Sequence, residues 1–368
     1  MALSGTLILD LTRMLPGAVL ARMLLDLGAR VIKVEDPAVG DPLRSAPPVT
    51  GGTGAGFAYF YRGAESLALD LRSSDGSAAL LALSRHADVL VESFRPGTLE
   101  AWGLGHARLR GANPALVVCA ISGFGQEGPC ARRIGHDLNF EAESGLLSLL
   151  PGCAMPGTPF ADVTGGLLAC SAVLAALLSR ARTGRGLVVD QPLSASALPL
   201  VSWAAAERAA GGGGLGEALL SGAFPAYRRY RCADGKEIAL CALEPKFWEA
   251  FLQMAGLEEH RAAGLDTGPE GVRAGEALAR KILERPRSHW VSAAVEKGLP
   301  ISAVNTLEEA LGGEGSCLTG LLEAEPPVPG GTGLPGPFLP SLASNGRRSG
   351  VPALGEHTSN IRREFGLG

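Results

Sequence analysis

TLILDLTRMLPGAVLARMLLDLGARVIKVED, residues 6–36, is the stretch that decides the fold class. TLILD at 6–10 is a short apolar run and reads as a buried strand. Pro16-Gly17 then opens a helical pattern, AVLARMLLDLG, that stops at Gly28, a fitting C-cap. ARVIKVED follows as a second strand with charges gathered at its end. Strand, helix and strand within about thirty residues form a unit whose strands pair in parallel.

Working outward, the alternation continues. SLALDL (66–71) reads as a strand, Ser74 to His86 as an amphipathic helix, and ADVLVES (87–93) as the next strand. Leu104 to Gly111 reads as a short helix and PALVVCAISGFG (114–125) as a further strand. The expectation is an open α/β sheet with helices on both faces, and ligands at the carboxyl ends of its strands. Arg44, Leu69, Arg72, Ser93, Phe94 and Arg95 fall in or beside those strand tips. The three arginines together make a candidate anion site. From 163 to 210 the chain reads as long Ala/Leu helices, broken by RTGRG (182–186) and Pro192. GGGG (211–214) reads as a hinge. YRRYRCADGKEIALCAL then turns strand-like around Asp234-Gly235, and 246–256 and 272–311 read as helices. The expected layout is a large domain over 1–190 joined by 335–368, a linker helix and hinge over 191–222, a small α+β domain over 223–325 and a return linker over 326–334.

The bulk numbers set limits. At 368 residues the chain has room for two domains and a sizeable core. A net charge of −4 gives no electrostatic footprint for nucleic acid or an anionic membrane. The 7 cysteines show no CxxC pairing, which argues for reduced thiols in a cytoplasmic protein and against zinc. No basic segment precedes the first apolar run, so a secretory leader is not expected. Val163 to Arg180 is the longest uncharged apolar stretch and reads as a buried helix rather than a membrane span. No GxGxxG follows the first strand and no GxSxG occurs, so neither a nicotinamide cofactor nor a serine nucleophile is supported.

Chemistry concentrates in GHDLNF (135–140) and FADVTGG (160–166). Imidazole and carboxylate are the side chains best suited to moving protons near neutral pH. Each has a plainer reading. His136 is also a loop residue before a helix capped by Asp137, Asp162 is also an N-cap, and Glu244, before Pro245, is also acidic decoration of a first turn.

With these segments in place, the chain resembles the family III CoA-transferase superfamily (CaiB/BaiF type), and most of all its α-methylacyl-CoA racemases. The likeness runs through residues 9–44, DVLVESFRPGTLEAWGLG (88–105), SGFGQEGP (122–129), GHDLNF, ADVTGG, TGRG (183–186), YRCADGKE (230–237), ALEPKFW (242–248) and LGEHT (354–358). It implies a Rossmann-like large domain, a small domain and an interlocked, ring-like homodimer. It implies an acyl-CoA substrate, with CoA part of the substrate and no separate cofactor or metal. Met14, Leu15 and Pro16 would meet the adenine, and Arg44, Arg72 and Arg95 the phosphates. In the family's transferases the residue matching Asp162 is a nucleophile. In its racemases it is an acid/base opposite a histidine matching His136, supported by a glutamate matching Glu244 from the partner subunit. The histidine favours the racemase reading, which implies inversion of the α-carbon of a 2-methylacyl-CoA through an enolate. Backbone N–H groups at the Asp162–Gly166 helix start would hold the enolate oxygen. Transfer of CoA between an acyl-CoA and a carboxylic acid, and a catalytically idle CoA scaffold, stay open. Ala64 and Glu65 depart from the family's basic pattern and put part of the phosphate contact in question.

Overall fold

The computed structural model describes residues 1–150, 155–212, 214–312, 318–323, 334–343 and 350–367. The described chain divides into two units, Met1–Val201 with Leu311–Gly368, and Ser202–Ala310. The division falls inside a helix, Leu198–Ala209, within the stretch 191–222 read as linker helix and hinge.

In the first unit, β1 (Leu7–Asp10), α1 (Leu15–Asp26) and β2 (Arg30–Glu35) form the opening strand–helix–strand unit. A two-strand ribbon, β3 (Val49–Thr50) and β4 (Thr53–Gly54), and α2 (Ala55–Tyr61) follow. Then come β5 (Glu65–Ala68), α3 (Ser74–Ser84), β6 (Val89–Glu92), α4 (Thr98–Ala101), α5 (His106–Ala112) and β7 (Val117–Ser122). After α6 (Asp137–Glu143) and α7 (Leu146–Leu149), the long α8 (Phe160–Thr183) leads into β8 (Val188–Pro192) and α9 (Leu193–Ser196). The six strands lie in the order β5-β2-β1-β6-β7-β8, all parallel. The central strands β1, β6 and β7 are buried along their whole length, so they read as unbroken apolar runs.

β8 corrects the sequence reading, which carried helix through 163–210. Only two valines mark this edge strand, and Asp190 interrupts it. The expected buried helix is α8, but it is buried on one face only, through Ala161, Gly165, Gly166, Ala169, Cys170, Val173 and Ala176. Leu167 and Leu178 stay exposed on the other. By length and composition alone α8 could cross a membrane.

α8 packs along α1. Gly166 permits this, since a Cβ there would sit 2.6 Å from the Pro16 carbonyl oxygen; one on Gly165 would sit 2.5 Å from Leu193 of α9. Gly166→Ala is expected to lower stability by about 1–3 kcal/mol, as overpacking against backbone does. A denaturant titration checks it.

The chain's end rejoins this unit. α16 (Thr358–Glu364) lies against β5, where the His357 backbone N–H donates to the Ser66 carbonyl and Arg30 bridges Glu65 and Glu364. Glu65 is thus spent on Arg30, away from the strand tips.

The second unit has a three-stranded antiparallel sheet, β9 (Tyr227–Arg231), β10 (Glu237–Cys241) and β11 (Ile301–Val304), in the order β11-β10-β9. Gly235, at φ 76°, turns the β9–β10 hairpin. Besides α10 (Leu198–Ala209), which straddles the boundary, the helices are α11 (Leu215–Leu220), α12 (Pro245–Ala255), α13 (Pro269–Ile282) and α14 (Arg287–Lys297). α15 (Leu307–Gly312) also straddles it. β11 interrupts the helical reading of 272–311, because ISAV is too short to stand out between two helices. The return linker expected at 326–334 lies outside the described residues except for Leu334.

Candidate active site

The strand tips of the large sheet carry two adjoining clefts. The smaller, about 380 Å³, is lined by the β1, β2, β5 and β6 tips, including Leu69, Arg72, Ser93, Phe94, Arg95 and Trp102. The larger, about 850 Å³, includes Met14, Pro16, His136, Asp162 and Arg132 in its wall. Arg13, Ser93, Phe94, Arg95 and Thr98 border both.

The loop after β1 is built to reach this place. Thr12 ties its N–H and hydroxyl to Asp10 Oδ1 at 2.8 and 2.6 Å. The Arg13 N–H donates to Ser93 Oγ at 2.9 Å, and its guanidinium lies over the Phe94 ring. Met14 then adopts φ 64°, in the left-handed region that a side chain rarely occupies. Such strain persists only where surroundings impose it and gathers at functional sites.

Beneath the loop lies a buried charge cluster that sequence reading missed. Lys33 Nζ sits 2.9 Å from Asp41 Oδ2 and 3.6 Å from Asp10, with all three side chains at most 2% exposed. It donates to the Thr12 carbonyl oxygen and stands over the Tyr61 ring. Burial alone would depress the ammonium, but Asp10, Tyr61 and Asp41 outweigh it and hold Lys33 above its ordinary value. Burial raises Asp10 despite Lys33.

Three expected phosphate contacts fare differently. Arg95 is exposed and borders both clefts. Arg72 borders the smaller one while paired to Asp70 at 2.8 Å and Asp36 at 2.7 Å. Arg44 is engaged with the protein itself. Its guanidinium is clamped on Glu35 at 2.7 and 2.8 Å, donates to the Pro352 carbonyl oxygen and lies over Phe57. Burial would raise Glu35, yet Arg44 and Ser66 hold it below the usual range, so Arg44 serves the fold. Met14 and Pro16 line the larger cleft, and Leu15 lines neither.

His136 and Asp162 line the same cleft. His136, not Asp137, is the N-cap of α6, with its backbone N–H donating to Asn139 Oδ1 at 3.0 Å. Its imidazole is left exposed at the cleft wall. Asp162 stands in the first turn of α8 rather than at its cap, which is Pro159. Proline at that position has no side chain to accept from the helix N-terminus. Two carboxyls from α6 take the task. Asp137 Oδ1 accepts from the Asp162 N–H at 2.9 Å, and Glu141 Oε1 from the Phe160 N–H at 2.9 Å. The Val163 N–H goes to the Pro159 carbonyl. The Phe160, Asp162 and Val163 N–H groups therefore have protein partners.

The arrangement sets the chemistry of Asp162. Burial first, then the charges of Asp137 and Glu141, push its carboxyl up to about 7. Such a group exchanges protons near neutrality in both directions. Glu244 lies in the second unit as the N-cap of α12, exposed, with no side-chain cap bond. Five cysteines, among them the buried Cys119 and Cys170, are free thiols. Cys153 and Cys317 fall outside the described residues. Among the described residues no group of three His, Cys, Asp or Glu is placed to hold a metal.

The sequence pattern of CoA-transferase family III matches residues 3–358. The chain belongs to that family. Within it, the chain is 32% identical to the human α-methylacyl-CoA racemase, covering 100% of this chain and 94% of that protein. It is 29% identical to an acetyl-CoA:oxalate CoA-transferase of Acetobacter aceti, covering 98% and 95%. A crystal structure of a CaiB/BaiF family protein from Brucella suis superposes with a TM-score of 0.81 at 28% identity, covering 98% of each chain. Family III thus includes both isomerising and group-transferring relatives of this chain, at similar distances.

Proposed function

We propose that this family III enzyme inverts the α-carbon of a 2-methylacyl-CoA thioester by removing and returning its proton. The observation that carries the reading is a carboxyl titrating near 7, Asp162, in one cleft with an exposed imidazole, His136. A nucleophilic aspartate works as the anion and gains from a depressed pKa. An acid/base that must accept a proton from one enantiomer and donate it to the other works best near the operating pH.

In this mechanism His136 and Asp162 act from opposite faces of the α-carbon, exchanging roles with the enantiomer. The enolate's charge is met by Arg13 and Arg132, which border the cleft, since the Phe160, Asp162 and Val163 N–H groups are taken. Arg72 and Arg95 are assigned to the CoA phosphates. CoA enters as part of the substrate, and no metal or redox group takes part. The proposed assembly is an interlocked homodimer in the cytoplasm, with Glu244 reaching His136 from the partner. Leu167, Leu178, Leu198 and Leu200, all exposed, are the apolar surface a second copy would cover. The test starts from one enantiomer of a 2-methylacyl-CoA with no other acid present. Chiral chromatography should show conversion to an even mixture. An unchanged enantiomer across several acyl chains contradicts the proposal.

A further inference from the structure

Asp137 and Glu141 sit four residues apart and so share one face of α6. Both turn toward the start of α8, where they accept from Asp162 and Phe160. Glu141 is 0% exposed. Their carboxyls accept from N–H groups two residues apart, and Glu141 Oε2, buried, meets no donor among the described residues. Two neighbouring carboxylates, one of them fully buried, resist both being ionised. A single proton between them resolves the conflict: it fills the vacant position at Oε2 and leaves the pair with one negative charge.

We propose that Glu141 is a positioning residue that shares one proton with Asp137, so that the pair caps α8 while placing one fixed negative charge behind Asp162. The inference rests on the proton-transfer reading of Asp162. Burial, contact with Asp137 and its charge raise Glu141, in keeping with the proton lying there. The other charged groups around α8 are accounted for. α1 brings Arg22 and Asp26, paired with each other, and β8 brings Asp190, which accepts from the Gln126 N–H. β7 brings only the Cys119 thiol, and α9 has no charged residue. On α6, Glu143 is paired to Arg133. His136, Arg13, Arg95 and Arg132 face the cleft side of Asp162.

The charge count makes a sharp test. Glu141→Gln keeps an acceptor for Phe160 and a donor for Asp137, and leaves one carboxyl in the pair. Asp137→Asn leaves Glu141 to ionise in turn. Each single variant keeps one negative charge, whereas the double variant has none but retains the capping oxygens. The readout is the apparent pKa of Asp162, taken from the pH dependence of kcat/KM for α-proton exchange. It is taken independently from the carboxyl infrared difference between each protein and its Asp162→Asn counterpart. The expected result is an unmoved pKa in both single variants and a fall of about one to two pH units in the double. A double variant that titrates like the parent overturns the proposal, and so does Glu141→Gln falling as far as the double. If exchange is absent throughout, the proton-transfer reading fails, while the infrared titration still decides whether the pair shares its proton.

Discussion

Asp162→Asn should lose about 10²–10⁴-fold in α-proton exchange while the protein becomes more stable above pH 7. The rate loss follows from removing one of two acid/base groups without changing its shape. The gain in stability follows from linkage. In the folded chain the carboxyl titrates at about 7, against 3.8 for the free side chain. Between those values the folded state holds a proton that the unfolded state has released. Stability contributed by the protonated carboxyl is therefore present at low pH and is lost as pH rises toward 7. One pH unit of difference corresponds to about 1.4 kcal/mol, and partial solvent access trims the total to about 1–3 kcal/mol. Urea titrations at pH 5 and pH 8 should show the variant gaining on the parent at both, and by clearly more at pH 8. The same pKa sets one limb of the pH profile. kcat/KM should follow one bell for both enantiomers, because their ratio is held at the equilibrium constant for racemisation at every pH, and Asp162 at about 7 should define one of its limbs.

The second large effect is on the fold. Lys33→Met removes the one cation between Asp10 and Asp41 and leaves two buried carboxylates facing each other. Breaking a buried pair in this way costs about 3–5 kcal/mol, a large share of the 5–15 kcal/mol that holds a domain folded. The variant is expected to be recovered largely unfolded. Replacing Asp10 and Asp41 by asparagine in the same chain should restore most of the stability, because the burial cost falls away with the charges. Circular dichroism melting of the single and triple variants checks both statements. If the triple variant melts as low as the single one, the cluster is not what Lys33 serves.

Lys33 also marks how far the sequence could be read. The strand–helix–strand alternation of residues 6–125 was legible because both periods repeat in apolar residues. β8 and β11 were not, because four or five residues with two or three β-formers carry too little signal beside long helices. Asp162 and His136 stood out by motif, and both reach the cleft. The partners of a charge stayed hidden. Nothing in PLR distinguishes Arg44, clamped on a buried Glu35, from an arginine waiting for phosphate. Lys33 reads as the end of a strand until Asp41, eight residues on, folds back over it. Glu141 was within reach, since its spacing from Asp137 places both on one helical face. What the spacing could not give was the second helix against which that face packs.

The central claim is that Asp162 moves a proton rather than an acyl group. One tube tests it most directly: wild-type protein, a 2-methylacyl-CoA and an isotopically labelled free carboxylic acid in heavy water, followed by mass spectrometry of the acyl-CoA pool. The account predicts deuterium at C2 in both enantiomers and no labelled acid joined to CoA. Labelled acyl-CoA with C2 still carrying hydrogen, together with a hydroxylamine-sensitive adduct on Asp162, would contradict it.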